Sequence, residues 1–229
     1  MCGRFTLSVE PDRLREVFPW LTLPAAAPLQ PRYNIAPTQP VAVVANNGQH
    51  TLEFFRWGLI PSWAKDPAIG SRMINARAET LAEKPAFRVA FRRRRCLILA
   101  DGFYEWRSPG AEPGAKKTPM HIRLKSGQPF AFAGLWETWR APDDDKTIAS
   151  CAIITTTPNA LLEKIHDRMP VILKPDAIDR WLDPAEQSPD ELSGLLKPYP
   201  ASHMTAYAVS RLVNKPEVDS PELVIPVKG

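Results

Sequence analysis

The sequence predicts an α+β fold: a single compact domain spanning residues 1–229, with mostly short antiparallel strands in a barrel-like mixed sheet and a few short helices. Three observations lead there. Apolar residues alternate with a period of two over several short runs. Prolines number 25 in 229 residues, and proline breaks helix interiors and central strands, which excludes a coiled coil, a long bundle or a helical solenoid. Hydrophobic residues at 44% and charged residues at 24% exclude disorder. A chain of this length buries roughly 70% of its unfolded surface, so it needs no disulfide or metal staple.

The elements follow in order. Residues 3–9 set Phe5, Leu7 and Val9 against Arg4, Thr6 and Ser8, a strand pattern. Leu14, Val17 and Phe18 share one face of a short helix that Pro19 stops. A loop carrying Pro24, Pro28, Pro31, Pro37 and Pro40 follows, and it includes the proline-bounded segment RYNIAPTQP (32–40). VAVVA (41–45), the turn Asn46-Asn47-Gly48 and HTLEFFRW (50–57) read as a hairpin. Pro85 opens a helix through Phe87 and Phe91, and Arg92-Arg93-Arg94-Arg95 reads as its solvated end. CLILA (96–100) runs into DGFYEW (101–106); Met120, Ile122 and Leu124 alternate; FAFAGLW (130–136) and IASCAIITT (148–156) are further strands. Ser188-Pro189-Asp190-Glu191 has capping-box spacing. Pro11, Pro85, Pro158, Pro175 and Pro189 all suit the first position of a helix. Segments 108–117 and 141–146 read as surface loops.

Lys+Arg 29 against Asp+Glu 25 leaves +4, with arginine (18) outnumbering lysine (11). Arginine suits bidentate phosphate contacts, but so small an excess does not by itself name a nucleic-acid partner. Cys2, Cys96 and Cys151 form no C-x-x-C pair, so no metal site and no cofactor is expected. Cys96 and Cys151 lie in apolar runs and read as buried and inert. Unpaired cysteines, no apolar run of 18 residues and no signal-like start point to a cytoplasmic protein without a membrane partner.

Cys2 follows the initiator methionine, which aminopeptidases remove when the next side chain is small. Removal would leave a 1,2-aminothiol. Its α-amine has a pKa of about 7.7–8.0, so roughly a tenth is neutral at pH 7. A neutral amine attacks an aldehyde to give an imine. The adjacent thiol can then close a five-membered thiazolidine intramolecularly. The same start, Cys followed by Gly, also opens class II glutamine amidotransferases, and the first three residues do not separate the two.

The later motifs do. RYNIAP, RWGLIPSW (56–63), INARAE (74–79), DGFYEW, HDRMP (166–170) and VSRLVN, together with MCGRF, resemble the SRAP family (SOS-response-associated peptidase, or abasic-site-processing proteins) across nearly the whole chain. The amidotransferases have no counterpart to these motifs. The resemblance implies recognition of abasic sites in single-stranded DNA and crosslinking through Cys2, on an intact strand. It implies a catalytic set of Cys2, Asn75, Glu105 and His166. It also implies DNA contacts from Arg4, Asn34, Trp63, Arg77, Trp106, Arg168 and Ser210. Residues 83–95 match no motif of the family. The family's name keeps an alternative open: an N-terminal-nucleophile peptidase or amidohydrolase, with its own N-terminus as one candidate for its sole substrate. A non-catalytic single-strand binding module is the third reading. A monomer satisfies all of them.

Overall fold

The computed structural model describes residues 2–24, 29–109, 116–142 and 145–227 of the 229. Its frame is a closed five-stranded barrel, with a second sheet laid against it and short helices around it. Among the described residues the strands are β1 (Phe5–Leu7), β2 (Arg32–Ile35), β3 (Pro40–Ala45), β4 (Leu52–Trp57), β5 (Asn75–Arg77), β6 (Arg95–Ala100), β7 (Gly102–Arg107), β8 (Thr118–Leu124), β9 (Phe130–Arg140), β10 (Thr147–Thr156), β11 (Met169–Pro170) and β12 (Met204–Ala208). The α-helices among the described residues are α1 (Pro11–Val17), α2 (Arg88–Arg93), α3 (Pro175–Leu182) and α4 (Pro189–Ser193).

The β3–β4 hairpin forms as its alternation predicts, with Val43 opposite Glu53, and Gly48 takes a φ of +78° in the turn. β6 adds beside β3, β9 beside β6, and β10 beside β9 in a seven-residue antiparallel ladder. β10 then meets β4 in parallel through Ser150 and Arg56, which closes the ring. β5 continues that parallel edge, pairing Asn75, Ala76 and Arg77 with Ile153, Ile154 and Thr155. β11 pairs antiparallel with the end of β10, at Thr155 and Thr156. The second sheet runs β12-β8-β7-β1-β2. It meets the barrel through aromatic contacts: Phe5 lies 5.1 Å from Trp57 and 5.8 Å from Phe132, and Phe103 lies 6.0 Å from Phe132.

The structure departs from the sequence reading in four places. Arg32–Ile35 is a strand, not loop, because its edge bonds to β1. Pro85 and Pro158 do not open helices; α2 starts three residues after Pro85, whereas Pro11, Pro175 and Pro189 do occupy a first position. Ser188 makes no side-chain cap. Arg95, expected in solvent, is completely buried. Its guanidinium donates to the carbonyls of Trp181 (3.0 Å), Ala185 (3.1 Å), Phe91 (3.4 Å), Arg92 and Asp183. It thus caps the C-termini of α2 and α3, where helix dipoles favour a cation. Arg92 and Arg93 do reach the surface, paired with Glu186. Residues 110–115 and 143–144 of the expected surface loops lie outside the described residues.

Candidate active site

Cys2, Asn75, Glu105 and His166, the expected catalytic set, come together in the seam between the two sheets. Cys2 precedes β1, and the bond from the Tyr104 amide to the Arg4 carbonyl (2.9 Å) carries that N-terminal segment along β7 beside Glu105. Asn75 begins β5, at the open end of the barrel wall, and its Nδ2 donates to the Cys2 carbonyl at 2.8 Å. His166 sits in the turn before β11, its amide bonded to Leu162 O at 2.8 Å. Its Nε2 is 4.0 Å from Glu105 Oε2. Four residues far apart in sequence therefore converge.

The electrostatics of the seam are set by burial. Glu105 is only 2% exposed, and desolvation pushes its carboxyl up to about 7. That poises it to hold and release a proton near neutrality. Burial, and then the charge of Glu105, raise the Cys2 thiol well above its ordinary value. Burial holds His166 below the usual imidazole range, which favours its neutral form. Asn75 Oδ1 is buried with no hydrogen-bond partner among the described residues, and as an acceptor it suits an amine or hydroxyl donor. A cleft of about 610 Å³ opens beside His166 and Asp167, lined also by Trp106, Ser108, Lys117 and Pro158. Among the described residues no group of His, Cys, Asp and Glu has the makings of a metal site, and no helix is long and apolar enough to cross a membrane.

The residues assigned to DNA contact separate into two kinds. Trp63 is 60% exposed on a turn fixed by Trp139 Nε1 donating to Ala64 O at 2.7 Å. Gly58 shapes the same motif: it has a φ of +131°, and a Cβ there would meet Gly70 O at 2.5 Å. Arg77 is exposed. Trp106 is partly exposed beside the cleft, its Nε1 bonded to Asn214 Oδ1 at 2.8 Å. The others are engaged within the protein. Asn34 is completely buried and donates to the carbonyls of Val218 (2.6 Å) and Lys215 (3.0 Å), so it is out of reach of a strand at the surface and ties β2 to the C-terminal segment instead. Arg4 donates to Asn34 Oδ1 at 2.8 Å and Val213 O at 2.7 Å. Ser210 caps a short turn by accepting from the Leu212 amide at 3.3 Å. Arg168 forks onto Glu79 at 2.7 and 2.9 Å.

Sequence reasoning passed over Glu79, Lys117 and Asp167. Glu79 and Asp167 stand inside INARAE and HDRMP, but their motif positions carried no sign of what they touch. Lys117 borders the cleft from a segment read only as loop.

Comparison with known proteins agrees with the architecture. The chain is 51% identical to the abasic site processing protein YoqW of Bacillus subtilis over 225 residues, covering 98% of this chain and 99% of that one. It is 30% identical to the abasic site processing protein HMCES of Xenopus tropicalis over 260 residues, 97% of this chain and 77% of that one. A crystal structure of a protein from Bacteroides thetaiotaomicron superposes with a TM-score of 0.86 at 28% identity, covering 99% of this chain and all of that one. The model of the SOS response associated peptidase (SRAP) family matches residues 1–216; the chain belongs to that family.

Proposed function

We propose that this protein processes abasic sites in single-stranded DNA by forming a thiazolidine crosslink between Cys2 and the lesion. The observation that carries this reading is Glu105: a carboxyl pushed up to about 7, beside a cysteine that becomes a 1,2-aminothiol once Met1 is removed. The names of the relatives supply the lesion.

The steps balance. The open-chain sugar presents an aldehyde at C1′. The Cys2 amine adds to it, Glu105 protonates the departing hydroxyl, and water leaves to give the imine. The S–H bond of Cys2 then adds across the C=N bond. Sulfur bonds to C1′, the proton passes to nitrogen through the Glu105 carboxylate, and a secondary amine closes the ring. Asn75 holds the cysteine backbone through its Nδ2 and offers Oδ1 to the attacking amine or a sugar hydroxyl. His166, neutral and facing Glu105, assists opening of the sugar ring. An imine left standing would drive β-elimination and cut the strand; ring closure removes it. Trp63 and Trp106 offer stacking surface, and Arg77 offers a cation to the backbone.

The test uses uracil-containing single-stranded DNA treated with uracil glycosylase, incubated with the protein from which Met1 has been removed, and run on a denaturing gel without borohydride. A heat-resistant shifted band that Cys2→Ala abolishes is expected. A band seen only with borohydride would replace the thiazolidine with an ordinary imine. Turnover of peptides without any band would replace the crosslinker with a hydrolase. Salt-sensitive retention that never becomes covalent would leave a binding module.

A further inference from the structure

Two groups converge on His166 Nδ1 with opposite demands. The Arg168 amide donates to it at 3.0 Å, which needs a lone pair there. The Asp167 carboxylate lies 2.8 Å away, which needs a proton there. A neutral imidazole carries one N–H. The balance between them therefore biases whether Nε2, the nitrogen facing Glu105, is a donor or an acceptor.

The Asp167 side chain is 88% exposed and well solvated. The Arg168 amide is only as well placed as residue 168 itself, and the guanidinium anchors that residue. Glu79 takes it with both oxygens, at 2.7 and 2.9 Å, and Thr155 O accepts from Nη2 at 2.7 Å. Glu79 stands in the short turn Ala78–Thr80 directly after β5, and Arg168 directly before β11. Since β5 and β11 both pair with β10 at Thr155, the ion pair straps the segment carrying Asn75 to the turn carrying His166. Arg168 in turn holds the Glu79 carboxyl below the usual range, chiefly through this hydrogen bonding.

We propose that Glu79 is a positioning residue: its bidentate pair with Arg168 keeps the Arg168 amide on His166 Nδ1, and so keeps the proton of the neutral imidazole on Nε2, toward Glu105. With that polarity His166 turns an N–H toward the Glu105 carboxylate, 4.0 Å away, and can donate it to the sugar ring oxygen. Without the strap, Asp167 captures an Nδ1 proton and Nε2 turns a lone pair toward Glu105, which opposes the proton flow that ring opening requires. A single-point cation would not serve, because the fork is what fixes the direction of residue 168.

Long-range 15N–1H correlation spectra above the imidazole titration read the tautomer directly. The chain has four histidines, and His166→Gln identifies the signals that belong to His166. The wild type is expected to show the Nε2–H form. Glu79→Gln is expected to shift His166 toward Nδ1–H and to slow crosslinking roughly ten- to hundredfold, while retention of undamaged single-stranded DNA holds or tightens because a negative charge is gone. Adding Asp167→Asn to Glu79→Gln is expected to restore the Nε2–H form. An Nδ1–H wild type would overturn the proposal, as would a folded Glu79→Gln with an unchanged tautomer. Should Glu79→Gln fail to fold, Arg168→Lys keeps a cation without the fork and carries the same expectation and the same overturning result. The rate arm rests on the crosslinking reading, whereas the tautomer arm needs no DNA, so the two fail separately.

Discussion

Cys96 and Cys151, in the barrel, and Cys2, in the seam beside it, are all completely buried, and desolvation raises all three thiols. Their neighbours differ. A Cβ added to Gly134 would meet Cys96 Sγ and Ile98 side-chain atoms within 3.1 Å, a mark of apolar packing with no room left. Around Cys2 stand Glu105, the Asn75 amide and, through Glu105, His166. The contrast teaches that burial alone makes a cysteine inert. The reactivity proposed for Cys2 rests on burial shared with polar groups, and here strands from two sheets bring those groups together.

Three substitutions can break or sharpen that contrast. The largest effect is expected from Glu105→Gln in the seam. Crosslinking should fall about 10²- to 10⁴-fold, the usual size of a lost general acid. Stability should move the other way. A carboxyl whose folded-state pKa is raised to about 7 contributes fully below its unfolded value and loses that contribution as pH rises through about 7. Urea midpoints of the variant should therefore match the wild type in mild acid and exceed it at alkaline pH. A variant less stable than wild type at alkaline pH would mean that the charged carboxylate is well compensated.

The next largest belongs to the barrel side. Arg95→Met removes the guanidinium from five carbonyls, of which Arg92 O keeps the Gln187 amide and Asp183 O keeps Asn46 Nδ2, and should cost roughly 3–5 kcal/mol in denaturant unfolding, with the crosslinking rate of the folded fraction unchanged. A matching loss of rate would tie the seam to the helix ends more tightly than the contrast allows. The smallest is Trp63→Ala on the surface, which should weaken binding of single-stranded DNA by about 1–3 kcal/mol and leave the unfolding midpoint where it was. Fluorescence anisotropy at fixed salt measures it.

Much of this was legible in the sequence where the determinants are local. The β3–β4 hairpin is written in its alternation and its Asn-Gly turn, and β10 in its apolar run. The convergence of Cys2, Asn75, Glu105 and His166 was legible only through family motifs, because no local pattern relates residues so far apart. What stayed hidden depends on distant partners. Arg95 looked like the end of a solvated arginine run because its acceptors, Trp181, Asp183 and Ala185, lie almost ninety residues on. The internal bonds of Asn34 and Arg4 stayed hidden too, because the carbonyls of 213–218 that engage them are invisible from RYNIAP and MCGRF. β2 was masked by its flanking prolines, although its backbone is bonded to β1. Barrel closure through a parallel contact between β4 and β10 has no local signature at all.

The register of β1 sets a timetable for synthesis. Phe5 pairs with Ile35 on one side and Phe103 on the other, so the pocket around Cys2 cannot exist until a hundred residues have been made. At about 5–20 residues per second, the N-terminus stays uncovered for several seconds at least, outside the ribosome and without its β7 partner. That interval is when an aminopeptidase can reach Met1. The long-range strand pairing that buries Cys2 in the finished protein also delays that burial, as the proposed removal of Met1 requires.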